Sequence, residues 1–388
     1  MGKCTAFVIA CLVFFVTATQ AYAIEDPLAT TNNKFGIHIL FVYELPQAAQ
    51  LVNSNGGDWG YVTIPIQAGD RDLLKWQTFM DDCKKYHVIP IIRLATEGDY
   101  FNTKVWRKPN EADILDFANF LNSLNWPTKN HYIIIFNEVN RSDEWGGFAN
   151  PAEYAQLLSY AVTVFKSETT DFFLISSGLD NASANVLGMS FDSFDYLRLM
   201  NIAVPGIFNQ IDGLGSHSYP NPGFAKPPSH QDRQSIATFL YEKRLAESVS
   251  QKQLPIFITE TGWSQQVIPQ TLAARYLQEA FTTVWNNPSV VAITPFLLNS
   301  GAGPFVQFSF TDSAGQPNEQ YKVVQSIAKV KGFPKLADII PGGNSDVLAH
   351  AVTKDFRNEV NKGPQGLTES NIIIPVPVKV MLKWLMKL

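Results

Sequence analysis

Between Phe35 and Gly332 short apolar or β-branched runs alternate with amphipathic segments. The runs are Phe35 to Leu40, Tyr61 to Ile66, Val88 to Ala95, Tyr132 to Glu138, Phe172 to Gly178, Gly213 to Ser218, Pro255 to Glu260 and Val290 to Leu298. Several are apolar throughout, as strands covered on both faces tend to be. The segments between them space apolar residues three and four apart. That spacing predicts helices that include Leu73 to His87, Ala112 to Asn125, Ala152 to Ser167, Gln234 to Ser248, Thr271 to Trp285 and Glu319 to Lys331. Asn110 and Asn150, each followed shortly by a Glu and an apolar run, read as helix-start residues. Eight strand-then-helix units predict an α/β chain folded as a single (β/α)8 barrel, because open doubly wound sheets more often carry about five to seven strands. In such a barrel the working residues sit at the C-terminal strand ends and in the loops that follow.

The two ends of the chain break this pattern. Residues 1–23 carry Lys3, an apolar stretch from Ala6 to Val16, and Ala21-Tyr22-Ala23, the layout of a secretory signal peptide cut before Ile24. The expected domains are therefore the signal (1–23), the barrel (24–332) and a C-terminal extension (333–388), with the mature protein secreted, extracellular or periplasmic. In residues 378–388 Lys379, Lys383 and Lys387 recur among Val, Met, Leu and Trp, a basic amphipathic pattern. It suits contact with a membrane surface or a partner, or a helix packed on the barrel exterior. Loss of the signal would remove Cys4 and Cys11, leaving Cys83 as a buried structural thiol with no disulfide partner. Two glycosylation-type sequons begin at Asn140 and Asn181.

Composition narrows the chemistry. With 388 residues, 46% hydrophobic and 17% charged, the chain has ordinary globular usage, which excludes collagen-like, coiled-coil and wholly disordered classes. Thirty Lys plus Arg against 35 Asp plus Glu, without long runs of one sign, argue against nucleic acid as a partner. The six His are scattered and no cluster has metal-ligand spacing, so no metal and no cofactor are expected. No phosphate-cradling Gly loop occurs, and Ser216 and Ser264 lack a nucleophile elbow. Nothing in the composition fixes the oligomeric state.

Two strand ends carry carboxylates. Ile133-Ile134-Ile135-Phe136-Asn137-Glu138 closes the fourth run, and Ile256-Phe257-Ile258-Thr259-Glu260 closes the seventh. A barrel gathers its strand ends around one bowl, so Glu138 and Glu260 can face each other there. Paired carboxyls of this kind cleave glycosidic bonds: one protonates the leaving oxygen, and the other attacks the anomeric carbon or activates water. His217 and Tyr219 end the sixth run, where Tyr219 can donate a hydrogen bond to Glu260 and hold it ionised. Arg93 ends the third, with Glu260 or Glu97 as available partners. Trp145 and Trp263 fall near strand ends, where indole faces suit stacking on sugar rings, with Trp59 and Trp106 as weaker candidates.

These motifs resemble the clan A glycoside hydrolases, a retaining superfamily of (β/α)8 barrels. Asn137-Glu138 is similar to their fourth-strand Asn-Glu pair, which implies Glu138 as acid/base and Asn137 as partner of the sugar 2-hydroxyl. Glu260 falls where their seventh strand holds the nucleophile, and His217 and Tyr219 where the clan often contacts substrate and orients that nucleophile. Two departures stand out. Several clan families place an Arg at the end of the second strand, where this chain has Gln67, and many place a Trp at the eighth, where it has Pro295-Phe296-Leu297-Leu298-Asn299. The resemblance implies a retaining hydrolase of β-linked bonds, and the signal segment adds secretion and hence a polysaccharide or glycoconjugate substrate. A catalytically inactive carbohydrate-binding barrel, and a transglycosylase using the same two Glu, are the alternatives.

Overall fold

The computed structural model describes residues 24–97, 105–301 and 303–338. The signal segment and the basic tail at 378–388 lie outside the described residues. Eight parallel strands are present: β1 (Gly36–His38), β2 (Gly60–Gln67), β3 (Val88–Ala95), β4 (His131–Ile134), β5 (Phe172–Ile175), β6 (Leu214–His217), β7 (Ile256–Glu260) and β8 (Val290–Ile293). They form a five-stranded sheet in the order β1 to β5 and a three-stranded sheet in the order β6 to β8. Parallel bridges Ile175↔Gly213 and Phe35↔Ile293 join the sheets at both edges, closing the ring.

The helices are α1 (Leu45–Val52), α2 (Leu73–Lys85), α3 (Glu111–Asn122), α4 (Pro151–Glu168), α5 (Ser193–Ala203), the short α6 (Ile207–Gln210), α7 (Thr238–Ser248), α8 (Gln270–Thr282) and α9 (Glu319–Ser326). Asn110 and Asn150 do cap α3 and α4: each side-chain oxygen accepts two backbone N–H bonds. None of the helices among the described residues is long and apolar enough to cross a membrane.

Side-chain alternation divides the core. Tyr132 and Ile134 of β4 face the barrel interior with Phe173, Ile175 and Phe257, while Ile133 and Ile135 join the larger core under the helices. Cys83 is buried in that larger core, and burial pushes its thiol well above the usual range. Residues 333–338 continue across the N-terminal end of the barrel. There Phe333 donates to the Thr31 carbonyl at 2.9 Å and Lys129 to the Lys335 carbonyl at 2.8 Å.

Several regular strands stop short of the apolar runs that predicted them. β4 ends at Ile134, yet its backbone stays tied to the β5 side: Ile135 donates to the Ile175 carbonyl and Glu138 to the Gly178 carbonyl, both at 3.0 Å. Between them Phe136 and Glu138 take φ of +66° and +37°, the left-handed region that side-chain-bearing residues seldom occupy. The strand is bent off its ladder at the point where it must aim the Asn137-Glu138 pair.

Candidate active site

The bend delivers Glu138 to the C-terminal mouth of the ring, and β7 delivers Glu260 as its last residue. One carboxylate oxygen of each and one nitrogen of His217 all lie within 4.8 Å of one another. His217 Nδ1 is 3.0 Å from Glu138 Oε1 and 3.8 Å from Glu260 Oε2, so the imidazole bridges the two acids. Room for that ring comes from Gly178, where a Cβ would collide with it.

Glu260 is held from two sides. Arg93 donates from Nη1 to Glu260 Oε1 at 2.5 Å and, from the same nitrogen, to Asn137 Oδ1 at 2.6 Å. Tyr219 donates its hydroxyl to Glu260 Oε2 at 3.1 Å. His38 Nε2 stands 3.9 Å from Glu260 Oε1. Glu138 is held by Arg141, whose Nη1 lies 3.1 Å from its Oε2 and whose guanidinium also pairs with Asp143 at 2.7 Å and Asp180 at 3.7 Å.

Burial and charge pull against each other here. For His217 burial opposes protonation, but the Glu260 and Glu138 carboxylates outweigh it and raise the imidazole above its usual value. His38 goes the other way: burial, then the Arg93 and His217 charges, hold it well below the usual range, so it stands neutral. Burial, reinforced by the negative charge of Glu138, lifts Glu144 to about 8. Behind β6, Glu242 of α7 bonds Ser216 and is pushed up to about 7 by burial.

The His217, Tyr219, Arg93, Asn137, Glu138 and Glu260 side chains thus meet at one place. The two Trp residues expected to stack on sugar do not, and that expectation is corrected. Trp145 is buried with its ring edge-on to Phe136 and Tyr154, and its Nε1 faces Glu153 at 3.3 Å. Trp263 is buried between Tyr276 and Trp285 and donates to the Lys226 carbonyl at 2.8 Å. Both face the helix layer, which their positions just past strand ends did not reveal. Trp59 lies at the opposite end of the barrel, stacked on His87. Trp106 lies in the loop after β3 on the mouth side, where its backbone N–H donates to the Asp143 carbonyl at 2.7 Å. Glu97 pairs with Arg107 at 3.0 Å, leaving Arg93 to Glu260. The sequon amides are buried as well. Asn140 Nδ2 donates to the Asp180 and Phe191 carbonyls, and Asn181 Nδ2 to the Tyr219 carbonyl and Thr238 Oγ1, which leaves no room for a glycan in the folded chain.

Sequence reasoning missed two participants, His38 and Arg141, and noted a third, Phe296, only as a departure at the eighth strand end. His38 sits in the short β1, and its ring packs edge-on against Phe296, 5.1 Å between centroids. Phe296 occupies the eighth strand end, flanked by Phe305 and Phe308. Arg141 was read as part of a sequon, although its position three residues after Glu138 was the available signal. The Glu138, His217 and Glu260 spacing would also admit a cation, but Arg93 and Arg141 already supply positive charge to both carboxylates and would compete with one.

Comparison of the sequence with family models and with curated proteins gave no match. Solved structures do match. A family 39 glycoside hydrolase from Bacteroides cellulosilyticus WH2 aligns at TM-score 0.55 and 15% identity over 79% of this chain and 64% of its own. A GH39 β-xylosidase from Caulobacter crescentus aligns at TM-score 0.52 and 14% identity, covering 76% and 71%. A GH5_18 protein from Streptomyces cattleya, solved with GlcNAc, aligns at 0.54 and 13%, covering 76% and 79%. The fold is that of the clan A glycoside hydrolases. The chain spans less than two thirds of the length of the Bacteroides protein.

Proposed function

We propose that this protein is a secreted glycoside hydrolase that cleaves β-linked bonds with retention of configuration. The observation that carries the reading is the approach of the Glu138 and Glu260 carboxylate oxygens to within 4.8 Å. Retaining enzymes hold their carboxyl groups about 5–5.5 Å apart, whereas inverting enzymes leave about 6.5–9.5 Å for a water.

On this reading Glu260, fixed by Arg93 and Tyr219, attacks the anomeric carbon as its bond to the leaving oxygen breaks. Glu138 gives its proton to that oxygen. A water then attacks the glycosyl-enzyme ester, Glu138 takes the water proton, and Glu260 leaves as a carboxylate. His217 accompanies both half-reactions by staying bonded to Glu138 while facing Glu260. The Asn137 amide, oriented by Arg93, faces the ring hydroxyl next to the anomeric carbon.

The test is reducing-sugar release from a panel of β-linked polysaccharides and aryl β-glycosides, with Glu138→Gln and Glu260→Gln beside the wild type. Release that collapses in both variants is expected. Glycan binding without release would move the protein to the binding class, and full activity in both variants would sink the assignment of the pair.

A further inference from the structure

Beyond the Arg141, Asp143 and Asp180 charges that surround Glu138, the rim of the mouth turns apolar. It is made of two turns, Gly146 to Phe148 between β4 and α4, and Val186 to Met189 between β5 and α5. Their side chains project into solvent: Leu187 is 95% exposed, Met189 62%, Phe148 57% and Val186 47%. The turns are pinned together. Ala149 donates to the Gly188 carbonyl at 3.2 Å, and Ser142 to the Met189 carbonyl at 2.7 Å. The Phe148 ring lies over Gly188, where a Cβ would come within 2.6 Å of it. Adjacent to this patch, Ser190 forms a backbone bridge with Arg141, the residue whose guanidinium holds Glu138. Single exposed apolar residues are ordinary, but four on two interlocked turns form a patch, and patches of this kind mark binding surfaces.

The hydrolase reading says what the patch meets, and this inference rests on it. Glu138 protonates the leaving group, so the leaving group extends from the scissile oxygen over the surroundings of Glu138, which are the loops after β4 and β5. A second sugar lying over the two turns would need partners for its hydroxyls, and the side chains of Phe148, Val186, Leu187 and Met189 provide none. Methylene groups lose water against such a surface at no cost in hydrogen bonds. We propose that this rim takes the hydrocarbon part of the leaving group, making the preferred substrate a β-glycoside of a long-chain alcohol, in other words a glycolipid.

The experiment compares initial rates on methyl and octyl β-glycosides of glucose, xylose, mannose and galactose, below the concentration at which the octyl compounds form micelles. Wild type is run beside the triple variant Phe148→Ser/Leu187→Ser/Met189→Ser, with melting curves on both. Wild type is expected to favour octyl over methyl by about tenfold or more in kcat/KM, mainly through KM. In the triple variant the ratio falls to about twofold while the methyl rate stays put. Equal rates on the two chain lengths in the wild type, or an undiminished ratio in the variant, would overturn the proposal. If no glycoside is cleaved, the hydrolase reading is what fails, and calorimetry with octyl β-glucoside then decides the rim alone. Binding by the wild type that the triple variant loses supports it; absence of binding, or equal binding by both, ends it.

Discussion

The two ends of the barrel are built from the same strands and share almost nothing else. β4 puts Tyr132 in the floor, and the chain beyond it reaches Glu138 at the mouth; β7 carries Phe257 in the floor and stops at Glu260. At the floor the rings of Tyr61, Phe173 and Phe257 surround Tyr132, with centroids 6.2, 5.0 and 5.5 Å away. The hydroxyls are satisfied there, since Tyr61 donates to Asn32 at 2.7 Å and Tyr132 receives Asn130 Nδ2 at 3.1 Å. At the mouth, two acids, two arginines and two histidines converge, and both His38 nitrogens and Arg93 Nε have no partner. Buried polar atoms are almost always bonded, so these three beside the two acids suit a polar ligand, although unpartnered atoms also occur elsewhere, as at His131 Nδ1 at the start of β4. Position along a strand therefore decides whether an inward residue seals the barrel or holds charge for chemistry.

That contrast can be broken most severely at the acids. Glu260→Gln and Glu138→Gln should each lower kcat on the order of 10⁴-fold with unfolding curves near wild type, because chemistry is lost while packing stays. The floor should respond in the opposite sense. Tyr132→Ala should cost about 3–5 kcal/mol in denaturant unfolding, with kcat per folded molecule nearly unchanged; a large kcat loss there would show that the ends are not separable. Gly178→Ala should fall between the two, losing about 10²-fold in kcat by displacing the His217 ring, with a small stability change. The mildest effect concerns pH. The folded-state value of Glu242, about 7, lies above its usual 4.5, so its contribution to stability is complete below about 4.5 and is lost as pH rises through 7. Glu242→Gln should remove about 1–3 kcal/mol of the stability decline between pH 5 and 8. Glu44, also lifted to about 7 by burial, would keep a remainder of that decline in the variant.

Much of this was legible beforehand because periodicity reports burial. The eight strands, the caps at Asn110 and Asn150 and the catalytic-face position of Glu138 and Glu260 all follow from runs of apolar residues and what ends them. The Tyr219 to Glu260 bond was anticipated from the place of Tyr219 at the sixth strand end. What failed was orientation. Trp145 and Trp263 lie just beyond strands, as the argument required, but the backbone turns their indoles outward into the helix layer, and no spacing rule encodes that turn. His38 was invisible for a different reason. It lies inside the first predicted strand, Phe35 to Leu40, but one histidine between Ile37 and Ile39 carries no signal of the acid its ring will face.

The ring is assembled from two sheets, and the two acids come from different ones: Glu138 follows a strand of the five-stranded sheet, and Glu260 ends a strand of the three-stranded sheet. The sheets behave as the arms of a caliper, and the gap between their tips is the distance on which the proposed chemistry depends. The joins between the arms are irregular, made of isolated bridges, Ile175↔Gly213 and Asp180↔His217 on one side and Phe35↔Ile293 on the other, with a few backbone bonds such as His38 N–H to the Pro295 carbonyl at 3.0 Å. Gly213 sits in its join with the Phe257 ring so close that a Cβ would come within 2.7 Å of it. Loosening either join resets the caliper before it melts either arm. On heating, activity should therefore disappear some degrees below the loss of helical signal, and Gly213→Ala should widen that interval.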